Sequence, residues 1–419
     1  MTVTVSGKRV SGTTTAPASK SVLHRLLICA ALADTKTVLT RATMSQDIEA
    51  TAACLEALGV VVQCDGDRLT VTPIDTVSRD ALLDCGESGS TLRFLLPIAA
   101  ALGGARFTGR GRLAQRPLSP LYELLCENGC VLSPQGQFPL TVTGTLCGTR
   151  FEIDGGVSSQ FISGLLMAAP LIGGCDVAVT GTVESRPYID LTVAAMRQFG
   201  VPVEVDGTVF RVPRGSRYRS PAVVETEGDW SNGAFWLVAG AVAPQADLVV
   251  AGLNPASLQG DRAIAEILGC DVRDSKLYSR GVPTQPLNID AAQIPDLVPI
   301  LAVLAAAIPG RSVIGNARRL RLKESDRLES VHAMLTALGG TATVTEDSLI
   351  IEGSGRLRGG AVDACNDHRI AMSAAVAACI CDGAVEIHGA EAVRKSYPRF
   401  FAEWEERGMS VCPPYSGES

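Results

Sequence analysis

The segment YIDLTVAAMRQFG (188–200) reads as an amphipathic helix that stops on a glycine, with the short β-type run VPVEVDGTVFRVP (201–213) directly after it. A glycine suits the left-handed position that ends a helix. The same pattern recurs in QDIEATAACLEALG (46–59), PLYELLCENG (120–129), DRAIAEILG (261–269), DRLESVHAMLTALG (326–339) and YPRFFAEWEERG (397–408). The closing glycines stand at 59, 129, 200, 269, 339 and 408, at intervals of 70, 71, 69, 70 and 69 residues. Capping alone does not require such even spacing, whereas a repeated structural unit does.

A second series precedes the first: SKSVLHRLLICAALA (19–33), GSTLRFLLPIAAALG (89–103), SSQFISGLLMAAP (158–170), SNGAFWLVAGAVA (231–243), IPDLVPILAVLAAA (294–307) and NDHRIAMSAAVAA (366–378). Each opens on polar or small residues and continues Ala-rich and nearly free of charge, the pattern of a helix buried on all sides. Runs such as VVVQCDGDRLTVTP (60–73) read as hairpins over an Asp-Gly turn. The chain is therefore six copies of one α/β unit: a buried helix, an amphipathic helix and strands. Units this long exceed the usual solenoid repeat and favour two domains of three units each, with a crossover near ETEGD (225–229).

The composition is globular, 46% hydrophobic and 19% charged, and a net charge of −7 argues against a nucleic-acid surface. The longest apolar runs, such as LVPILAVLAAAIPG (297–310), fall short of the ~20 residues that a membrane span needs. MTVTVSGKRV (1–10) alternates like a strand and lacks the apolar core of a signal peptide, so a soluble, cytoplasmic protein is expected. Thirteen scattered cysteines without a CxxC read as reduced thiols, with Cys126/Cys130 and Cys379/Cys381 as small core residues of apolar helices. The four histidines are far apart and suggest no metal site, and CPPYSGES (412–419) reads as a loose tail. GRGRLA (109–114) fits a loose dinucleotide pattern, but Pro117 and Pro120 leave no room for the helix it needs.

If the six buried helices point their N-termini at one cleft, each brings unpaired N–H groups and about half a positive charge. That makes an anion site with few cationic side chains. Lysine is scarce: only residues 8, 20, 36, 276, 323 and 395. KESDRLES (323–330) nevertheless concentrates charge. If a helix starts at Lys323, Lys323 and Arg327 lie four apart on one face and repel by a few tenths of a kcal/mol.

SKSVLHR, ESGSTLRF, QRPL, SSQF, SRPYID, IPD, LRLKESDRL, NDHR and RKSYP run from about Ala16 to Phe400 in an order that resembles the EPSP synthase (3-phosphoshikimate 1-carboxyvinyltransferase) family. The resemblance implies a two-domain inside-out α/β barrel of six βαβαββ-type units, three per domain. It implies one domain over 13–226, mainly on the shikimate 3-phosphate side, a second over 1–12 plus 227–419, and an active site in the interdomain cleft. The implied reaction transfers the enolpyruvyl group of phosphoenolpyruvate to the 5-hydroxyl of shikimate 3-phosphate by addition and elimination, releasing phosphate. Implied too are no metal or organic cofactor, no nucleic-acid or membrane partner, and a monomer acting on small molecules.

Carried over residue by residue, the resemblance makes Lys20, Asp296 and Glu324 catalytic. Lys20, Ser21, Arg25, Ser158, Ser159, Gln160, Ser185, Asp296 and Lys323 fall on shikimate 3-phosphate; Lys20, Gly89, Arg116, Gln160, Arg327, Arg369 and Lys395 fall on phosphoenolpyruvate. Asp296 orients or deprotonates the attacking hydroxyl, with Lys20 as the alternative acceptor of that proton, and Glu324 protonates the enolpyruvyl methylene. An anion lying between Lys323 and Arg327 would turn their repulsion into charge-assisted hydrogen bonds. His24, Asp367 and His368 read as structural supports. Two departures stand out: Glu87-Ser88-Gly89-Ser90 replaces the commoner Asn-Ala-Gly-Thr, and Arg319 stands where some members have Asn. Of the alternatives, UDP-N-acetylglucosamine 1-carboxyvinyltransferases carry a loop cysteine absent from GRLAQRP (111–117), and have Asn where Ser21 stands. A non-enzymatic phosphate-binding repeat protein does not need Lys20, Asp296, Glu324 and Lys395 together.

Overall fold

The computed structural model describes residues 1–78, 80–274 and 276–414, so the last five residues of CPPYSGES lie outside it. Twelve α-helices occur among the described residues: α1 (Lys20–Ala31), α2 (Gln46–Ala57), α3 (Gly89–Ala101), α4 (Leu121–Glu127), α5 (Ser159–Ala168), α6 (Arg186–Gln198), α7 (Trp230–Val242), α8 (Ala263–Ile267), α9 (Val298–Ala306), α10 (Arg327–Ala337), α11 (His368–Ala377) and α12 (Phe400–Glu406). The odd-numbered helices are the six charge-poor segments, and the even-numbered ones are the six that close on glycine. In α9 every residue is buried. The glycines at 59, 129, 200, 269, 339 and 408 all have φ between +59° and +111°, the left-handed region where a side chain is strained.

The strands form six four-stranded sheets that share one order. In one of them, Leu82–Asp84 lies parallel to Ala105–Thr108; this strand pairs antiparallel with Leu140–Gly144, which in turn pairs antiparallel with Cys130–Leu132. The hairpin read at 60–73 is present, with Val61–Asp65 antiparallel to Arg68–Thr72. Two sheets are completed by strands from far along the chain. Val223–Glu225 lies beside Thr37–Thr40, and Thr2–Ser6 sits between Val385–His388 and Ser410–Cys412.

The chain divides into two compact units, residues 1–17 with 228–419, and residues 18–227. Arg9–Thr15 runs parallel to Gln245–Ala251 in continuous register, which carries the first unit past residue 12, where the motif-based boundary was set. Each unit has its own apolar core. In the first, α7, α9 and α11 pack on one another; in the second, α3 packs on α5 and α1 on α6. Strands such as Arg150–Asp154 alternate buried and exposed residues, so one sheet face covers the helices and the other meets solvent. Each unit is thus an inside-out α/β arrangement, with helices within and sheets outside.

All thirteen cysteines are free thiols. Cys379 and Cys381 are buried, but Cys126 is exposed on α4 and Cys130 is a buried strand residue rather than a helical one. The helix ends earlier than its apolar pattern because the chain turns at Gly129 (φ +94°) into the hairpin. No helix among the described residues is long and apolar enough to cross a membrane, and no group of side chains there could hold a metal ion.

Candidate active site

In the unit spanning residues 18–227, the motif residues sit at helix starts. Lys20 opens α1, and its Nζ donates to Asp47 Oδ2 at 2.7 Å. Arg25, one turn beyond Ser21, is drawn into the helix packing rather than presented at the helix end. Its Nε donates to Thr192 Oγ1 (2.7 Å), Nη1 to the Ser21 carbonyl (2.5 Å) and Nη2 to the Tyr188 carbonyl (2.9 Å), and it stacks on Phe94. His24 is equally buried, bonded to Thr51 Oγ1 at 2.8 Å, and burial holds its pKa well below the ordinary imidazole value. It is a neutral core residue.

Ser88 caps α3 by accepting from Thr91 N, and Ser158 caps α5 by accepting from Gln160 N. Ser159 is buried in the first turn of α5, and Ser185, at φ +55°, precedes α6. Gln160 links the starts of α3 and α5: its Nε2 donates to Ser90 Oγ (2.9 Å), while its Oε1 accepts from Arg93 Nη1 (2.9 Å). Arg93 also donates to the Pro117 carbonyl, so one buried guanidinium fixes both Gln160 and the turn carrying Arg116. Glu87, the unexpected carboxylate, is packed over Gly111, where a Cβ would come within 2.8 Å of the carboxyl carbon.

Arg116 lies flat against Gly89, with its Nε buried and without a partner among the described residues. A Cβ on Gly89 would stand 2.5 Å from Arg116 Nη1. A side chain at Gly89 would therefore press first on this arginine. Gly89→Ala is expected to fold normally, because alanine favours the helix and a guanidinium can swing aside. Arg116 would be misplaced; on the role that the motif resemblance implies for it, the KM for phosphoenolpyruvate is then expected to rise about tenfold, the scale for loss of a charge-assisted hydrogen bond. Steady-state kinetics beside a melting curve check this; an unchanged KM at unchanged stability contradicts it.

The unit of residues 1–17 and 228–419 gathers more charge. KESDRLES does not start a helix at Lys323. A 3-10 helix over Arg318–Leu322 ends there, and α10 begins at Arg327 with Asp326 as its cap, accepting from Glu329 N. Lys323 and Arg327 meet another way, since both donate to Asp296 Oδ1, at 3.4 and 2.8 Å. Arg327 is 1% exposed and held by three carboxylates: Asp367 (Nε, 2.7 Å), Asp296 (Nη1, 2.8 Å) and Glu324 (Nη2, 2.7 Å). Burial opposes its charge, but the three carboxylates outweigh burial and raise its pKa above the ordinary value.

Asp296 stands in a short 3-10 turn ahead of α9 and also accepts from Arg369 Nη2 at 3.0 Å, so three cations share this one carboxylate. Asp367 caps α11 by accepting from the Arg369 amide and from Arg327. Arg369 reaches Ser231 Oγ on α7 as well. The N-terminal ends of α7, α9 and α11 thus meet around Arg369 and Asp296. Lys395 is buried, with Nζ on the Asn366 carbonyl at 2.7 Å. Burial pushes the Lys323 pKa down to about 8 against the pull of Asp296; the charges of Arg327 and Arg319 add to the depression. Arg319, to which the motifs assign nothing, acts here as a neighbouring charge.

The motifs omit Asp47, Thr192 and Ser231, and they contain Arg93 in ESGSTLRF without giving it a role. Asp47 and Thr192 lie on amphipathic helices where polar residues look like solvent-facing ones, and their partners are 27 and 167 residues away. Only Arg93 carried a signal, being a lone cation inside an otherwise apolar helix.

The family model of EPSP synthase (3-phosphoshikimate 1-carboxyvinyltransferase) matches residues 5–404. A 3-phosphoshikimate 1-carboxyvinyltransferase of Clostridium kluyveri is 39% identical over 420 residues, covering 98% of each chain. A solved EPSP synthase from Acinetobacter baumannii superposes with a TM-score of 0.80 at 26% identity, over 98% of this chain and 99% of that one. The enolpyruvyl transferase NikO from Streptomyces tendae, at 18% identity and a TM-score of 0.76, covers 98% of each chain and bears on the fold alone. The chain belongs to the EPSP synthase (3-phosphoshikimate 1-carboxyvinyltransferase) family.

Proposed function

We infer that the protein transfers the enolpyruvyl group of phosphoenolpyruvate to the 5-hydroxyl of shikimate 3-phosphate, releasing phosphate. The observation that supports this best is the cluster of Asp296, Glu324 and Asp367 around Arg327, Arg369 and Lys323. Three carboxylates balance three cations, so the cluster carries charge without a large net field. Anionic substrates then exchange for protein carboxylates rather than meeting bare cations. Each exchange frees a carboxylate beside the reactants, where it can accept a proton and, once protonated, pass it on.

In this reading Asp296, relieved of a cation, takes or orients the proton of the 5-hydroxyl. The hydroxyl oxygen bonds to C2 of phosphoenolpyruvate while Glu324 protonates the C3 methylene, giving a tetrahedral intermediate with a methyl group. The C2–O bond to phosphate then breaks, a methyl proton leaves, and the enol ether forms. Lys20, Gly89, Arg116, Gln160, Arg327, Arg369 and Lys395 hold phosphoenolpyruvate; Lys20, Ser21, Arg25, Ser158, Ser159, Gln160, Ser185 and Lys323 hold shikimate 3-phosphate. Arg25 serves through its position, anchoring Ser21 and the α6 start, as much as through contact. The test is phosphate release from phosphoenolpyruvate with either shikimate 3-phosphate or UDP-N-acetylglucosamine. Release with shikimate 3-phosphate alone supports the reading, release with the nucleotide sugar alone replaces the acceptor, and no release with either removes the activity.

Lys323 makes the reading pH-sensitive. With its pKa near 8 in the free protein, Lys323 is about half charged at pH 8. A bound phosphate raises that pKa, so binding shikimate 3-phosphate at pH 8 takes up close to half a proton, and less at pH 7 where the lysine is already charged. Affinity falls as pH rises through 8. Calorimetry in two buffers of different ionisation enthalpy measures the uptake; proton release at pH 8 contradicts the assignment. The sign for stability is opposite: the unfolded chain holds this proton up to pH ~10.5, so stability contributed by Lys323 rises between pH 8 and 10.5.

A further inference from the structure

The first turn of α7, Asp229-Trp230-Ser231-Asn232, has no role in the reaction described above. Asp229 Oδ1 accepts from Ser231 Oγ at 2.6 Å and from the Asn232 amide at 2.9 Å. A hydroxyl has one proton and two lone pairs. With its proton committed to Asp229, Ser231 Oγ can only accept on its other side, and there it receives Arg369 Nη2 at 3.1 Å. The next residue, Asn232, is fully buried and donates from Nδ2 to Ser396 Oγ at 3.1 Å, beside Lys395 in the chain. Consecutive residues of one helix turn therefore grip the two segments that carry the phosphoenolpyruvate-side cations.

We propose that Ser231 and Asn232 are positioning residues for phosphoenolpyruvate: Ser231, oriented by Asp229, aims the Arg369 guanidinium, and Asn232 fixes the backbone from which Lys395 extends. The proposal rests on reading Arg369 and Lys395 as phosphoenolpyruvate-binding. Arg369 is also drawn to Asp296, through the carbonyl at 3.1 Å and Oδ2 at 3.0 Å. A substrate anion competes with Asp296 for the guanidinium by charge. A neutral hydroxyl carries no charge to repel the incoming anion, so the Ser231 bond can hold Arg369 in line while the anion replaces Asp296.

Steady-state kinetics of Ser231→Ala, Ser231→Thr, Arg369→Ala and the Ser231→Ala/Arg369→Ala pair test this. Ser373→Ala serves as a control, because Ser373 Oγ is buried on α11 with no partner among the described residues. Ser231→Ala is expected to raise the KM for phosphoenolpyruvate about tenfold and that for shikimate 3-phosphate by less than about twofold. Ser231→Thr, which keeps the hydroxyl, restores the wild-type value, and Ser373→Ala moves neither. In the Arg369→Ala background, Ser231→Ala adds nothing. A rise in both KM values alike overturns the proposal. So does an unchanged phosphoenolpyruvate KM in Ser231→Ala when Arg369→Ala does raise it. A normal phosphoenolpyruvate KM in Arg369→Ala itself would instead remove the reading of Arg369 on which the proposal stands.

Discussion

Glu324→Gln is expected to lower kcat by ~10²-fold or more, the usual scale for removing a general acid, while both KM values stay within a few-fold. The reason lies in what the amide keeps and loses. Glu324 Oε2 accepts from Arg327 Nη2 at 2.7 Å, and a glutamine oxygen can accept the same bond. The α10 start and the Arg327 position are thereby retained, so the melting temperature is expected to stay near that of the wild type. The amide lacks the transferable proton, and it also lacks the charge that Glu324 sets against Arg327, which Asp296 and Asp367 still balance. A kcat that remains within threefold of wild type removes Glu324 as the proton donor. A large fall in stability would mean that the residue mainly balances charge.

The second large effect is at Asp296. Its carboxylate serves Arg327, Arg369 and Lys323 together. Asp296→Ala removes the carboxylate that Lys323 and Arg369 share with Arg327, while Arg327 keeps Asp367 and Glu324; breaking a buried pair costs up to about 3–5 kcal/mol. The variant is expected to unfold at markedly lower urea and to lose turnover by ~10²-fold or more. Added inorganic phosphate can sit where the carboxylate was, so it should restore part of the lost stability, and more than it stabilises the wild type. Asp296→Asn separates the two roles, since it keeps an acceptor oxygen but no charge. If Asp296→Ala is as stable as wild type and phosphate has no selective effect, the charge-balancing role is wrong.

The six-fold repeat and the twelve helices were legible because their signals are local. A glycine at a left-handed turn and an apolar run without charge each report on the residues around them. The closing glycines at 59 and 339 sit at φ +111° and +81°, as their positions imply. The junction near residue 17 was harder to read, because the seven-residue pairing of Arg9–Thr15 with Gln245–Ala251 spans over two hundred residues of chain. At KESDRLES, charge pattern alone suggests an unbroken helix, whereas a preceding 3-10 turn and the Asp326 cap delay the helix to Arg327. The partners of Lys20, Arg25 and Arg369 were illegible for the same reason as the junction. Asp47, Thr192 and Ser231 are ordinary polar residues until the fold sets them opposite a cation.

Catalysis by addition and elimination makes one demand on the product, whichever group protonates C3. If the C3 methylene is protonated to a methyl group and then loses a proton, the reaction run in D2O must place deuterium in the enolpyruvyl methylene. The measurement is mass spectrometry of the product and recovered phosphoenolpyruvate from wild-type protein with shikimate 3-phosphate in D2O. Deuterium in the product methylene, released with phosphate and suppressed in Glu324→Gln, is the expected result. An enol ether formed at full rate with only protium at that carbon would contradict it.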